Sequence, residues 1–263
     1  MSTGERDEGE FVRALARGLQ VIECFEGERW PISLSEVARR TNLARGSARR
    51  LLLTLQQLGY VDSADGRFFL RARTLRLGHA YLTSSPLGGS AEDVLRALAD
   101  QVAESCSLSE LDGDEIVYLA RVTSRRLIRD YIEIGRRMPA YPTSMGRVLL
   151  SGLPDEAFER YLARVEMRPL TARTTTDRDA LRRIVQDARV RGWSVSDEEI
   201  EMGRRAIAVP VRSRGGRIIA ALNVSAASAR YSCDEMAAKF LSLMREAADE
   251  LARTMAWSSD RLR

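Results

Sequence analysis

Hydrolysis or group transfer by a serine or cysteine needs a base within reach, and the 263-residue chain holds a single histidine, His79. The surrounding stretch, 73–85, reads as a helix with no evident acidic or nucleophilic partner. Cys24, Cys106 and Cys233 are odd in number and far apart, so neither a disulfide framework nor a metal set is spelled out. The run Asp197-Glu198-Glu199 brings three carboxylates together, but consecutive side chains point different ways; a capped or solvated loop is the plainer reading. No glycine-rich phosphate loop occurs, and no cofactor is expected. A hydrolase on the C-terminal part would need a dyad that these residues do not form. The residue types that do cluster are binding types: arginines and hydroxyls for phosphates and bases, and small polar groups for a carboxylate.

The arginine cluster lies on a predicted helix, 44–58. Helical spacing puts Ala48, Leu51, Leu52, Leu55 and Leu58 on one buried stripe. The opposite face carries Arg49, Arg50 and Gln57, with Arg45, Ser47 and Thr54 at its edges. Leu53 also points outward, and the pattern assigns it no partner. Two helices precede this one. The first, 11–25, carries Val12, Leu15, Leu19, Ile22 and Phe25 at spacings of three and four, which predicts that this stripe faces inward. The second runs to about Arg40 and opens on a capping box, Ser33 with Glu36. Thr41-Asn42-Leu43 makes a tight turn, Gly59 ends the third helix, and two short strands flank Asp65-Gly66, a hairpin dipeptide. Helix, helix, turn, helix, hairpin is the order of a winged helix-turn-helix, whose third helix enters the major groove while the wing, with Arg67, lies on the backbone. Residues 11–85 carry twelve arginines against six carboxylates, as a surface that meets phosphates requires. A solvated basic face, or a winged module used for protein contacts, are the alternatives.

Around this module the chain divides into an acidic tail, 1–10, read as disordered and unlike a signal peptide; a DNA-binding domain, 11–72; a linker helix and boundary, 73–89; and an effector-binding domain, 90–258. The linker's apolar residues cover more than one helical face, as in a helix packed against a partner chain or against its own. The last part mixes helices (93–104, 145–151, 154–163, 178–191, 232–256) with strands (107–111, 115–122, 126–135, 206–211, 217–225), an α+β domain with an antiparallel sheet. Pro142-Thr143-Ser144-Met145-Gly146 leads into a helix whose first amides suit a carboxylate. Asn223 and Ser225 share one face of an apolar strand and need partners there, from the backbone or from a ligand. No run of 18 apolar residues predicts a membrane span, and the cysteine usage fits the cytoplasm.

The stretches 32–43, 46–61 and above all 192–225 resemble the IclR family of bacterial regulators. More narrowly, 11–25 and 131–151 are similar to the subgroup of PcaR, PcaU and PobR, regulators of protocatechuate, hydroxybenzoate and related β-ketoadipate-pathway catabolism. The resemblance implies a GAF-like effector domain, small carboxylate effectors, a homodimer or a tetramer formed as a dimer of dimers, and a palindromic double-stranded operator. Carried residue by residue, it places the effector pocket at Met145, Gly146, Ser196, Ala206, Asn223 and Ser225. Some members have cysteine where this chain has Ala206 and aspartate where it has Ser196. On the DNA side it implies base or phosphate contacts from Arg45, Ser47, Arg49, Arg50 and Thr54, with Arg13, Arg17 and Arg67 on the backbone or minor groove.

Overall fold

Ser33 accepts a hydrogen bond from the Glu36 amide at 3.2 Å and so starts α2 (Leu34–Arg40). Asn42 takes a left-handed φ of 50° in the turn that follows, a conformation asparagine adopts more readily than most residues. Beyond that turn lies α3 (Arg45–Gln57), which Gly59, at φ 78°, closes by letting the Tyr60 amide reach back to the Leu55 carbonyl at 2.9 Å. Strands β2 (Val61–Ala64) and β3 (Arg67–Leu70) then form a hairpin whose turn residues, Asp65 and Gly66, both have positive φ. A short β1 (Ile32–Ser33) adds to the far edge of β3, giving the antiparallel order β1-β3-β2. With α1 (Arg13–Glu23) this is the predicted winged helix-turn-helix.

The computed structural model describes residues 11–27, 31–84, 90–123 and 133–259, in two compact units that divide between Ala80 and Tyr81. That division falls inside α4 (Leu75–Ser84), the predicted linker helix. The expected tail at 1–10 and the loop at 85–89 lie outside the described residues.

The core of the first unit is Val21 of α1, Phe25 in the turn beyond it, Ile32, Val37, Ala48, Leu52, Leu55, Val61 and Phe68. This corrects the expectation for the first helix. Leu15 is 63% exposed and Leu19 45%, and Val12 is exposed too; only Phe25 of the predicted stripe is buried, with Ile22 partly so. The helix meets α3 through its C-terminal end, and its apolar N-terminal stripe is left uncovered within one chain. Leu58, predicted inward, is also exposed.

In the second unit α5 (Ser90–Val102) leads into β4 (Ser105–Asp112) and β5 (Glu115–Val122), joined by a turn at Gly113. Then follow β6 (Arg137–Pro139), α6 (Ser144–Ser151), α7 (Asp155–Arg164) and α8 (Arg178–Arg191). The chain ends with β7 (Ser194–Asp197), β8 (Arg204–Arg212), β9 (Ile218–Ala227) and α9 (Cys233–Ser259). All six strands pair antiparallel in the order β6-β5-β4-β9-β8-β7. Strand periodicity divides the sheet's two faces. Ile207, Val209, Val211, Leu222 and Val224 pack under α5 and α9. Ala208, Ala221, Ile116 and Tyr118 face α6, α7 and α8. β6 and β7, three and four residues long, were not expected. The strand expected at 126–135 falls mostly outside the described residues; Gly135 sits in a turn ahead of β6.

Candidate DNA-reading face and effector cavity

The arginines of the first unit fall into two groups. Some are committed to their own chain. Arg39 and Arg40 both bind Glu36, and these bonds, Arg39's first, pull the Glu36 carboxyl down to about 2. Arg71 pairs with Asp62 at 3.3 Å, and Arg73 lies over the Tyr60 ring. The others stand out from helices. Arg45, Arg49 and Arg50 are exposed along α3, with Ser47 half-buried beside them, and Arg13 and Arg17 are exposed on α1. Thr54 is exposed, but its hydroxyl donates to the Arg50 carbonyl at 3.0 Å. Arg67 sits at the base of the hairpin turn and donates to the Pro31 carbonyl at 3.3 Å, which holds it at the wing's edge. Leu53 is exposed on α3 among these arginines.

The effector cavity arises from small side chains. On the face toward α6, cross-strand register lines up Ser105, Ser225, Ala206 and Ser196 in one row across four strands, and Ser107, Asn223 and Ala208 in the next. No large side chain fills the space above these rows. The result is a cavity of about 530 Å³, within the range of small-molecule sites. Its floor includes Ser196, Ala206, Asn223 and Ser225, and its wall the first turn of α6, Thr143 to Met145. Five of the six residues predicted for the pocket therefore meet there.

Gly146 lies on the other side of the helix. A Cβ at that position would stand 2.0 Å from the Ala140 carbonyl oxygen, so glycine lets α6 pack against the preceding segment. Its amide donates to the Thr143 hydroxyl at 2.9 Å, which caps the helix.

The rest of the wall was not read from the sequence. Tyr118 and Met138 supply apolar surface, joined by a 3.6 Å contact from the tyrosine hydroxyl to the Met138 sulfur. Ile200 adds to it, as does Met145, whose sulfur accepts from the Ser109 hydroxyl at 3.1 Å. Arg121, Arg136 and Arg204 bring three guanidinium groups to the lining against one carboxylate, Glu201. Arg121 donates to its cross-strand neighbour Ser107 on β4 at 3.1 Å, and Arg204 bonds Glu201 at 3.3 Å and Ser225 at 3.4 Å. Ser196 donates to the Pro142 carbonyl at 2.6 Å, tying β7 to the entry of α6. Asn223 is 5% exposed and its Oδ1 has no hydrogen-bond partner among the described residues. A buried amide in that state calls for a polar guest. The size, positive charge and apolar surface of this cavity fit a small organic anion.

No cluster of three or more metal-ligating side chains occurs among the described residues. Burial pushes the Cys106 thiol up to about 12, which keeps it protonated and unreactive.

Comparison with known proteins matches both halves of the chain. Residues 14–65 match the IclR helix-turn-helix domain, and residues 79–253 the bacterial transcriptional regulator IclR C-terminal domain. The Pca regulon regulatory protein of Pseudomonas putida is 39% identical over 254 residues, 96% of this chain and 86% of that protein. The p-hydroxybenzoate hydroxylase transcriptional activator of Acinetobacter baylyi is 35% identical over 247 residues, 92% of this chain and 91% of that protein. Among solved structures, an IclR homolog from Microbacterium hydrocarbonoxydans complexed with 4-hydroxybenzoate superposes with a TM-score of 0.76 at 26% identity, covering 92% of this chain and 98% of that one. With its DNA-binding and regulatory halves both matched, the chain belongs to the IclR family of bacterial transcriptional regulators.

Proposed function

We propose that this regulator controls an operon for catabolism of an aromatic acid, and that a small aromatic carboxylate of that pathway binds the 530 Å³ cavity as effector. The observation that carries the effector class is the cavity lining: Arg121, Arg136 and Arg204 for a carboxylate, Tyr118, Met138 and Met145 for a ring, and the unpartnered Asn223 amide for a further polar group. The relatives' names point the same way, since one regulates a pca regulon, another activates p-hydroxybenzoate hydroxylase, and a third is bound to 4-hydroxybenzoate. Met145, Ser196, Ala206, Asn223 and Ser225 are the effector contacts, and Gly146 shapes the helix behind them.

On the DNA side, Arg45, Ser47, Arg49 and Arg50 read bases or phosphates from α3, while Arg13, Arg17 and Arg67 hold the backbone. Thr54 contributes through its methyl face, because its hydroxyl is used within the helix. The uncovered stripe of Val12, Leu15 and Leu19 supports a homodimer, in which two recognition helices occupy successive major grooves of a palindromic operator. Tetramers would pair such dimers. The protein acts in the cytoplasm and carries no catalytic role. The effector works by preferring one assembly geometry over another, which changes half-site spacing.

Salt titration of operator binding tests the DNA reading. Six to ten neutralised phosphates predict a loss of about 10³–10⁵ in affinity between 50 and 200 mM salt. A flat curve would exclude phosphate contacts and favour a protein-binding role for the winged module.

A further inference from the structure

The run Asp197-Glu198-Glu199, which reads as a solvated acidic loop, is not solvated as a unit. Glu199 turns inward and pairs with Arg147, with side-chain exposures of 9% and 3%. The contact is bidentate: Arg147 Nη1 and Nη2 donate to the two carboxylate oxygens at 2.6 and 2.7 Å. Arg147's further bonds go to the segments that frame the cavity, and those of Glu199 go to the segment ahead of α8. Arg147 Nε donates to the Tyr141 carbonyl just before the α6 entry, and Nη1 to the Val195 carbonyl of β7. The Thr175 amide donates to Glu199 Oε2, and the Thr174 hydroxyl to the Glu199 carbonyl.

The position of the pair matters more than its strength. Arg147 lies on α6, two residues beyond Met145 of the cavity wall. Glu199 directly precedes Ile200 and Glu201, the two loop residues of the opposite wall. The pair therefore joins the two walls from behind. Glu198, next to it, holds a positive φ of 58°, a conformation a non-glycine residue keeps only when its surroundings impose it. Arg173 and Ser228 hold the Glu198 carboxylate from outside. Buried ion pairs contribute little net stability compared with apolar residues of similar volume; their best use is to select one arrangement.

We propose that Arg147 and Glu199 are positioning residues for effector binding: they fix the loop at 198–203 against the first turn of α6 and so set the width of the cavity. This rests on the reading of that cavity as the effector site. It predicts that loosening the pair releases the loop and weakens the effector without loosening the sheet.

The test uses the full chain, wild type, Glu199→Gln, and the charge-free pair Arg147→Met with Glu199→Leu. Hydrogen exchange is followed for residues 198–204 and, separately, for the paired strands β8 and β9. The expected result is at least tenfold faster exchange in the loop with less than twofold change in the strands, in whichever variant folds. At unchanged melting temperature, affinity for 4-hydroxybenzoate or protocatechuate, whichever the wild type binds, falls at least tenfold. Parallel loss of protection in loop and strands would overturn the proposal, as would an unchanged loop or a failure of both variants to fold, because the pair would then only support the core. If the wild type bound neither acid, the effector class would be wrong, and the exchange data would still decide the role of the pair.

Discussion

Replacing Asn223 by leucine removes a buried amide oxygen that has no partner among the described residues and keeps nearly the side chain's shape. Asn223 lies in the middle of the sheet, between Ser107 and Ala208, so the backbone there is held on both sides. A hydrogen bond donated by a guest hydroxyl to this oxygen contributes about 0.5–1.5 kcal/mol. Its loss weakens binding by roughly 2- to 12-fold, at about 1.4 kcal/mol per decade. The assay is thermal melting with the aromatic acid at 100 times its wild-type dissociation constant. The wild type should gain about 2.7 kcal/mol, while the variant, at the same ligand concentration, should gain only about 1.3–2.2 kcal/mol. For a domain of this size each kcal/mol moves the melting temperature by about 2–4 °C, so the two shifts are separable. The variant without ligand should melt no lower than the wild type, because no protein hydrogen bond of Oδ1 is lost. An equal ligand shift in both proteins would remove Asn223 from the site and with it the assignment of this cavity.

Three further outcomes follow from other parts of the molecule. Arg49→Ala should cost about 1–3 kcal/mol of operator binding and relax preference at one base pair, whereas Arg67→Ala should weaken all duplexes alike; identical behaviour of the two in a binding-site selection would refute the division of roles. Gly146→Ala forces a Cβ to 2.0 Å from the Ala140 oxygen, so it should destabilise the effector domain by about 3 kcal/mol or more and lower its melting by at least about 6–12 °C; a neutral calorimetric result would show that α6 can shift freely. The Glu36 carboxyl titrates at about 2 in the folded protein against an ordinary 4.5, so its stabilising contribution is complete above pH 4.5 and is lost as pH falls toward 2. Glu36→Gln should therefore lower the stability of the winged unit at neutral pH, and the gap should close in denaturant titrations below pH 4.5; a gap independent of pH would mean that the Arg39 and Arg40 bonds do not drive it.

The winged unit was legible because its determinants are local. Ser33, Asn42, Gly59 and Asp65-Gly66 act within a few residues of themselves, and they mark the helix starts, turn and hairpin that form. The first helix differs from the pattern because burial is confined to its C-terminal end. Periodicity shows that Val12, Leu15, Leu19 and Phe25 align, but not how far along that stripe a covering element reaches, and only Val21 and Phe25 are fully buried. β6 and β7 are too short to show an alternation of their own and exist through their partners, β5 and β8. The cavity floor was found from the polar pair Asn223 and Ser225 within an apolar strand, and from family resemblance for Ser196 and Ala206. Its arginines were not, since Arg121, Arg136 and Arg204 come from separate strand edges in a chain where nearly every cation is arginine. Glu199 does not stand out because three adjacent carboxylates look alike in sequence, although in the fold Asp197 and Glu198 share Arg173 while Glu199 turns to Arg147.

The most direct test of effector control is operator affinity with and without the acid. A duplex selected from random DNA by the protein itself is titrated by fluorescence anisotropy at fixed salt, with and without saturating 4-hydroxybenzoate or protocatechuate. The account predicts that the acid that raises the melting temperature also changes operator affinity by about 5- to 150-fold, and that operator DNA changes the affinity for that acid by the same factor. An acid that binds the cavity yet leaves operator affinity unchanged would contradict it.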